Sequence, residues 1–159
     1  ISAYWRGFND AFAGGSAKRR PRMVGVQAAG AAPLVSGSPI SNPETVATAI
    51  RIGKPASWET AIAARDESGG LIDAVTDAEI LRAQEEIIRL GGIFVEPACA
   101  APIAGLRNLI DSGRVDGSAR IVAVMTGFGL KDPDTASRMI GEIREADATL
   151  SGVRAALGW

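Results

Sequence analysis

The sequence predicts an α/β domain with a mainly parallel sheet flanked by helices, and three observations carry that expectation. Short apolar runs at residues 22–28, 71–75, 93–96 and 121–125 have the length of strands and alternate with longer segments whose apolar residues recur at helical spacing. Three of these runs lead into turns bearing glycine or proline, as tight strand-to-helix connections require. The chain has 159 residues, enough for one sizeable core, and 19 of them are glycine, which suits repeated close turns.

Taken in order, residues 3–13 place Tyr4, Trp5, Phe8 and Phe12 on one face and predict an amphipathic helix, with Ser2 as N-cap and Gly14 and Gly15 as its stop. The aromatic stripe reads as core packing. Residues 16–21 form a polar connector, and the basic cluster Lys18, Arg19, Arg20 and Arg22 reads as a solvated loop. Residues 22–28 predict a short buried strand in which Gly25 admits a close neighbour. Residues 34–56 are rich in Pro, Gly and Ser. They hold one short helical piece, capped by Asn42, opened by Pro43 and carried through Ile50.

Ser57 predicts the cap of a helix that runs to about residue 67 and stops at Gly69 and Gly70. Residues 71–75 predict a strand. Thr76 and Glu79 make a capping box, and the helix it opens turns Ile80, Leu81, Gln84, Ile87 and Ile88 inward until Gly91 and Gly92. Glu85 and Glu86 read as its solvated edge. Residues 93–96 predict a buried strand running into Pro97 and a helix with Ile103, Leu106, Leu109 and Ile110 inward, closed by Gly113. Residues 121–125 predict a further strand buried on both faces, which breaks at Thr126, Gly127, Phe128 and Gly129. Asp132 then caps and Pro133 opens a helix over residues 133–145 with Met139, Ile140 and Ile143 inward. Leu150, Val153, Leu157 and Trp159 predict a terminal helix that packs on the sheet or on a partner. No repeat, low-complexity segment or internal boundary is visible, so residues 1–159 read as one domain.

Composition narrows the chemistry. Apolar residues make up 47%, charged residues 22%, and the net charge is −1, which argues against nucleic acid as the main partner. No apolar run approaches the roughly 18 residues of a membrane span. The single Cys excludes an internal disulfide and fits a reducing cytoplasm. The absence of His excludes Ser-His-Asp and Cys-His catalysis and His-ligated metal sites, so no metal is expected. The chain begins at Ile1, already inside a helical pattern, and reads as part of a longer protein.

The candidate site follows from the turn at residues 126–129. Ligands sit at the carboxyl ends of parallel strands, and Thr126 is the last side chain before the turn, so its hydroxyl is expected to face a crevice. The alternative is a strand-end Thr capping the turn. Glu96 stands where a strand ends and the positive end of a helix dipole begins, as a helix-start residue or an active-site carboxylate.

Several blocks, in order over residues 1–135, resemble the threonine synthases, which belong to the tryptophan-synthase-β-like, fold type II pyridoxal-phosphate enzymes. They are the segment from Ile1 to Phe8, Gln27-Ala-Ala-Gly-Ala-Ala-Pro33, Ala47-Thr-Ala-Ile-Arg-Ile-Gly53 with Pro55-Ala-Ser-Trp58, Glu96-Pro-Ala-Cys-Ala-Ala101, and Thr126-Gly-Phe-Gly-Leu-Lys-Asp132. The resemblance implies the C-terminal part of the large domain of such an enzyme. The implied reaction is the pyridoxal-phosphate-dependent conversion of O-phosphohomoserine and water to threonine and phosphate, in a cytoplasmic homodimer. Another enzyme of the same fold type, such as a threonine or serine dehydratase, and a non-catalytic α/β regulatory domain are the rival readings.

The resemblance also implies roles. Thr126, with Gly127, meets the pyridine nitrogen of the cofactor. Ala49 and Ile50 pack along one edge of its ring, although a plain connector would look the same. Glu96 borders the cofactor, and Gln27 borders the substrate cleft unless its amide merely satisfies loop backbone. The family's Schiff-base lysine and phosphate loop are expected upstream, which leaves this chain inactive alone, with Lys18, Lys54 and Lys131 as its only lysines. Two residues depart from the family pattern: Phe128, where the turn usually carries Asn or His, and Cys99, where Ser is usual.

Overall fold

The structure, a computed structural model, describes residues 1–139 and 144–159. Its sheet pairs two parallel strands, β1 (Val24–Ala28) and β2 (Leu71–Val75), in a register running from Val24 opposite Leu71 to Ala28 opposite Val75. Gly25 meets the Ile72 side chain closely there, since a Cβ on it would lie 3.1 Å from an Ile72 carbon.

Helices α4 (Asp77–Gly91) and α5 (Pro97–Asp111) pack against each other and enclose the core with the sheet. Ala28, Val75, Ile80, Ala83, Ile87, Val95, Cys99, Ala100, Ala101 and Ala104 form its centre. The buried face of α5 is made of small residues. The helix therefore lies so close to β1 that a Cβ on Gly105 would come within 2.5 Å of a Val26 methyl. This corrects the expected face: Leu109 is buried, Ile103 and Leu106 are half-buried, and Ile110 lies at the exposed edge. Helix α4 matches its expectation, with Gly92 in the left-handed region at φ 64° as its stop. Its Glu86 pairs across with Arg107 of α5.

Helix α1 (Ser2–Ala13) packs on α3 (Trp58–Glu67) with Trp5 as its buried residue, whose indole N–H donates to Glu67 at 2.7 Å. Tyr4, Phe8 and Phe12 are exposed, so the expected aromatic core reduces to one ring. Helical spacing places residues on one face, but a single neighbouring helix covers only part of it. Ser2 lies inside the helix instead of capping it, and its hydroxyl accepts from Thr60 at 3.0 Å. Ser57 occupies the cap position of α3 without a side-chain bond.

Residues 42–50 keep only a 3-10 turn at Thr48–Ile50 in place of the expected helical piece. Asp77 explains this, because its carboxylate accepts from the Thr45 hydroxyl and from the Val46 N–H, holding that stretch against the start of α4. A four-residue helix, α2 (Pro33–Ser36), forms where none was expected.

Two expected strands are absent. Residues 93–96 keep of a strand only an isolated antiparallel bridge from Val95 to Phe128, residues 121–125 keep none, and Val122 is 83% exposed. An apolar run becomes a strand only where another backbone offers it a ladder, and strand preference depends on that context. Helix α6 (Pro133–Met139) starts as expected, with Asp132 Oδ1 accepting from the Thr135 N–H at 3.2 Å. Ile140 and Ile143, and the side chain of Met139, lie outside the described residues. Helix α7 (Leu150–Leu157) is capped by Thr149 but has no buried residue, so the expected packing of Leu150, Val153, Leu157 and Trp159 on the sheet does not occur.

The capping box is fully formed. The Thr76 hydroxyl accepts from the Glu79 N–H at 3.3 Å, and the Glu79 carboxylate accepts from the Thr76 N–H at 2.7 Å. Bonds from the Thr76 backbone, from Asn108 and from the Thr76 hydroxyl hold the Glu79 carboxyl below the usual glutamate range. Thr76→Ala is expected to destabilise the fold by about 1 kcal/mol in urea unfolding. A depressed carboxyl contributes stability above its unfolded value, so the contribution of Glu79 is present at neutral pH. The gap between wild type and Glu79→Ala should therefore shrink as pH falls through its lowered native value.

Candidate functional site

The site is built where the segment leading into α5 meets the glycine turn. Backbone bonds join the two: Glu96 N–H donates to Gly127 O at 3.3 Å and Gly129 N–H to Phe94 O at 3.1 Å. Pro97 opens α5, and Glu96 occupies its cap position without capping it. Its side chain, 4% exposed, instead reaches across the turn, where Lys131 Nζ donates to Oε1 at 3.1 Å. Burying a carboxylate is costly unless it is paired, and Lys131 supplies the pairing charge.

The two glycines of the turn are there for room. A Cβ on Gly127 would lie 1.7 Å from Glu96 Oε1, and one on Gly129 would lie 2.4 Å from the Phe94 ring. Cys99, buried three residues into α5, shares the face of Glu96 because residues three apart are helical neighbours. Its sulfur accepts from the Gly127 N–H at 2.8 Å, lies 3.5 Å from Thr126 Oγ1, and is 3.7 Å from Glu96 Oε1.

The structure thus brings Thr126, Gly127 and Glu96 together, with Thr126 exposed on the outer side. Phe128 stands beside them, also exposed, its ring edge-to-face with Phe94 at 5.5 Å. Ile50 packs against the core cluster that contains Cys99, and the exposed Ala49 precedes it in the 3-10 turn beside α5. Gln27, near the end of β1, accepts from the Leu34 N–H at 2.9 Å, so its amide oxygen satisfies loop backbone.

Thr126 is exposed, as its expected place at the mouth of a crevice requires. Two open concavities, of about 320 and 340 Å³, lie elsewhere, one around Trp5 and Arg20 and one around Lys54 and Trp58. Sequence reasoning missed Lys131 as the partner of Glu96 and Cys99 as the point where the turn is held. The spacing from Glu96 to Cys99 in a proline-opened helix was the available signal. Gly127→Ala is expected to destabilise the fold by about 1–3 kcal/mol, since the Glu96 carboxylate must leave its place; a lowered urea midpoint checks this.

Residues 1–127 match the family described as "Pyridoxal-phosphate dependent enzyme". The chain is 57% identical to the threonine synthase of Mycobacterium leprae over 136 residues, 86% of this chain and 38% of that protein. It is 52% identical to that of Synechocystis over 141 residues, 89% of this chain and 36% of the relative. Against that of Methanocaldococcus jannaschii it is 49% identical over 146 residues, 87% and 36% respectively. The chain thus spans well under half the length of these relatives. Among solved structures, maize serine racemase shares the fold with TM-score 0.53 and 19% identity, over 74% of this chain and 37% of that one. With a family match over four-fifths of its length and a parallel sheet flanked by helices, the chain belongs to the pyridoxal-phosphate dependent enzymes.

Proposed function

We propose that the protein containing this chain converts O-phosphohomoserine and water to threonine and inorganic phosphate, with pyridoxal phosphate as cofactor. The observation that carries this reading is the 49–57% identity to threonine synthases of distant organisms, sustained over 86–89% of the chain. Pyridoxal phosphate, when bound, supplies an electron sink for carbanions formed on an amino-acid substrate.

The residues present fit that group. The Thr126 hydroxyl is exposed and, among the described residues, its hydrogen-bonding neighbour is the Cys99 thiol, so it is available to donate to a ring nitrogen. A neutral hydroxyl suits an unprotonated nitrogen, and the nearby carboxylate that would favour a protonated one is turned inward to Lys131. Gly127 keeps the ring side free of a side chain, and Glu96 serves the cofactor through the turn it holds. Ala49 and Ile50 offer a small, apolar edge for the ring. Phe128 and Gln27 border the substrate side, Gln27 through the loop it fixes.

A cytoplasmic homodimer is part of this proposal. The free, buried Cys99 supports a reducing compartment. The exposed Tyr4, Phe8 and Phe12 and the apolar residues of α7 give an assembly apolar surface to cover. With a net charge of −1, no nucleic-acid partner is proposed.

The deciding experiment compares substrates in the purified full-length protein. Phosphate release from O-phosphohomoserine should exceed consumption of threonine by at least about 100-fold in kcat/KM; preferential consumption of threonine would make it a dehydratase instead. The lysine that bonds the cofactor is proposed to lie outside these residues, because Lys131 is committed to Glu96. This 159-residue chain, mixed with pyridoxal phosphate and reduced with borohydride, should carry no more label on Lys131 than on the exposed Lys18 and Lys54. Selective labelling of Lys131 would refute that placement.

A further inference from the structure

The Cys99 thiol has one proton and two acceptors in reach, Thr126 Oγ1 at 3.5 Å and Glu96 Oε1 at 3.7 Å. Its sulfur is already an acceptor for the Gly127 N–H at 2.8 Å. Of the two oxygens, Glu96 Oε1 also takes the Lys131 ammonium, at 3.1 Å. Thr126 Oγ1 is the nearer of the two acceptors and, among the described residues, the one with no cation paired to it.

The direction of this contact matters, because a hydroxyl has a single proton that rotates to suit its surroundings. If Thr126 donates to the sulfur, it has nothing left for an outside acceptor. If the thiol donates to Oγ1, the Thr126 proton is turned out of the open face. We propose that Cys99 is a positioning residue: its sulfur anchors the Gly127 amide and its thiol proton fills one lone pair of Thr126 Oγ1, aiming the Thr126 proton at the cofactor nitrogen. This rests on the reading that places pyridoxal phosphate against Thr126. Cys99 itself is buried.

The test uses the full-length protein and three variants, Thr126→Val, Cys99→Ala and Cys99→Ser. The readouts are pyridoxal-phosphate affinity of the apoprotein, the absorbance maximum of the bound cofactor at saturation, and the thermal midpoint. Thr126→Val should move the absorbance and weaken affinity by about 10-fold. Cys99→Ala should move the absorbance in the same direction and weaken affinity by about 3- to 10-fold. Cys99→Ser, which keeps a donor and an acceptor at this position, should return both to within about 2-fold of wild type. Cys99→Val keeps the buried volume without a donor, and replaces the Ala variant if that one does not fold.

A lowered midpoint in Cys99→Ala or Cys99→Val with an unmoved absorbance would mean that Cys99 only packs, and would overturn the positioning role. An unmoved absorbance and affinity in Thr126→Val would instead overturn the placement of the cofactor, whatever the Cys99 variants do. The two failures are therefore separable.

Discussion

The site depends on a missing carbon. Gly127 has no Cβ, and the Glu96 carboxylate occupies that space, so a buried charge can cross beneath the turn to Lys131. Buried carboxylates persist where a partner neutralises them, and removing the partner leaves an uncompensated charge. The ion pair therefore ties residues 35 positions apart in sequence, and the turn between them has little freedom. Because the carboxylate lies on the inner side, Thr126 is left on the outer one.

That clasp is only as rigid as the element beneath it. Helix α5 is seated by the close approach of its own backbone more than by large side chains, since Ala100, Ala101, Ala104 and Gly105 line its inner face and Gly105 abuts the Val26 side chain of β1. From the other side, Gln84 of α4 donates through Nε2 to Val95 O at 2.8 Å, fixing the residue just before Glu96 from within the core. Functional groups held on helices supported by a second layer of hydrogen bonds keep their geometry better than groups on free loops. Here the exposed Thr126 belongs to a loop but takes its position from α5, through Cys99 and the Gly127 amide.

What could be read from the sequence was whatever depends on near neighbours. The Thr76–Glu79 box, the glycine stops of α3 and α4, the Asp132 cap and both paired strands follow from residues a few positions apart, and they stand in the structure. What could not be read depends on remote partners. Residues 121–125 have the composition of a buried strand, but composition does not supply a ladder, and Val122 lies in solvent. The stripe of Tyr4, Phe8 and Phe12 has helical spacing, but of the aromatic residues of α1 Trp5 is the one that is buried. Thr126, Gly127 and Glu96 are the candidate residues that the sequence offers and the structure brings together, whereas the thiol between them reads in the sequence only as a departure from Ser. Geometry gives that thiol another use.

The chemistry of the site then reduces to which of two oxygen-bearing side chains faces outward. A carboxylate at the position of Thr126 would attract a proton to any ring nitrogen it met, and would strengthen the ring as an electron sink. A hydroxyl leaves that nitrogen neutral and the sink weaker. The chain brings both groups to one turn, and it buries the stronger one. The exposed Lys131 pairs with the buried Glu96 carboxylate, and Gly127 gives that carboxylate room to stay there. The Glu96–Lys131 pair is thus part of how the carboxylate is kept off the outer face.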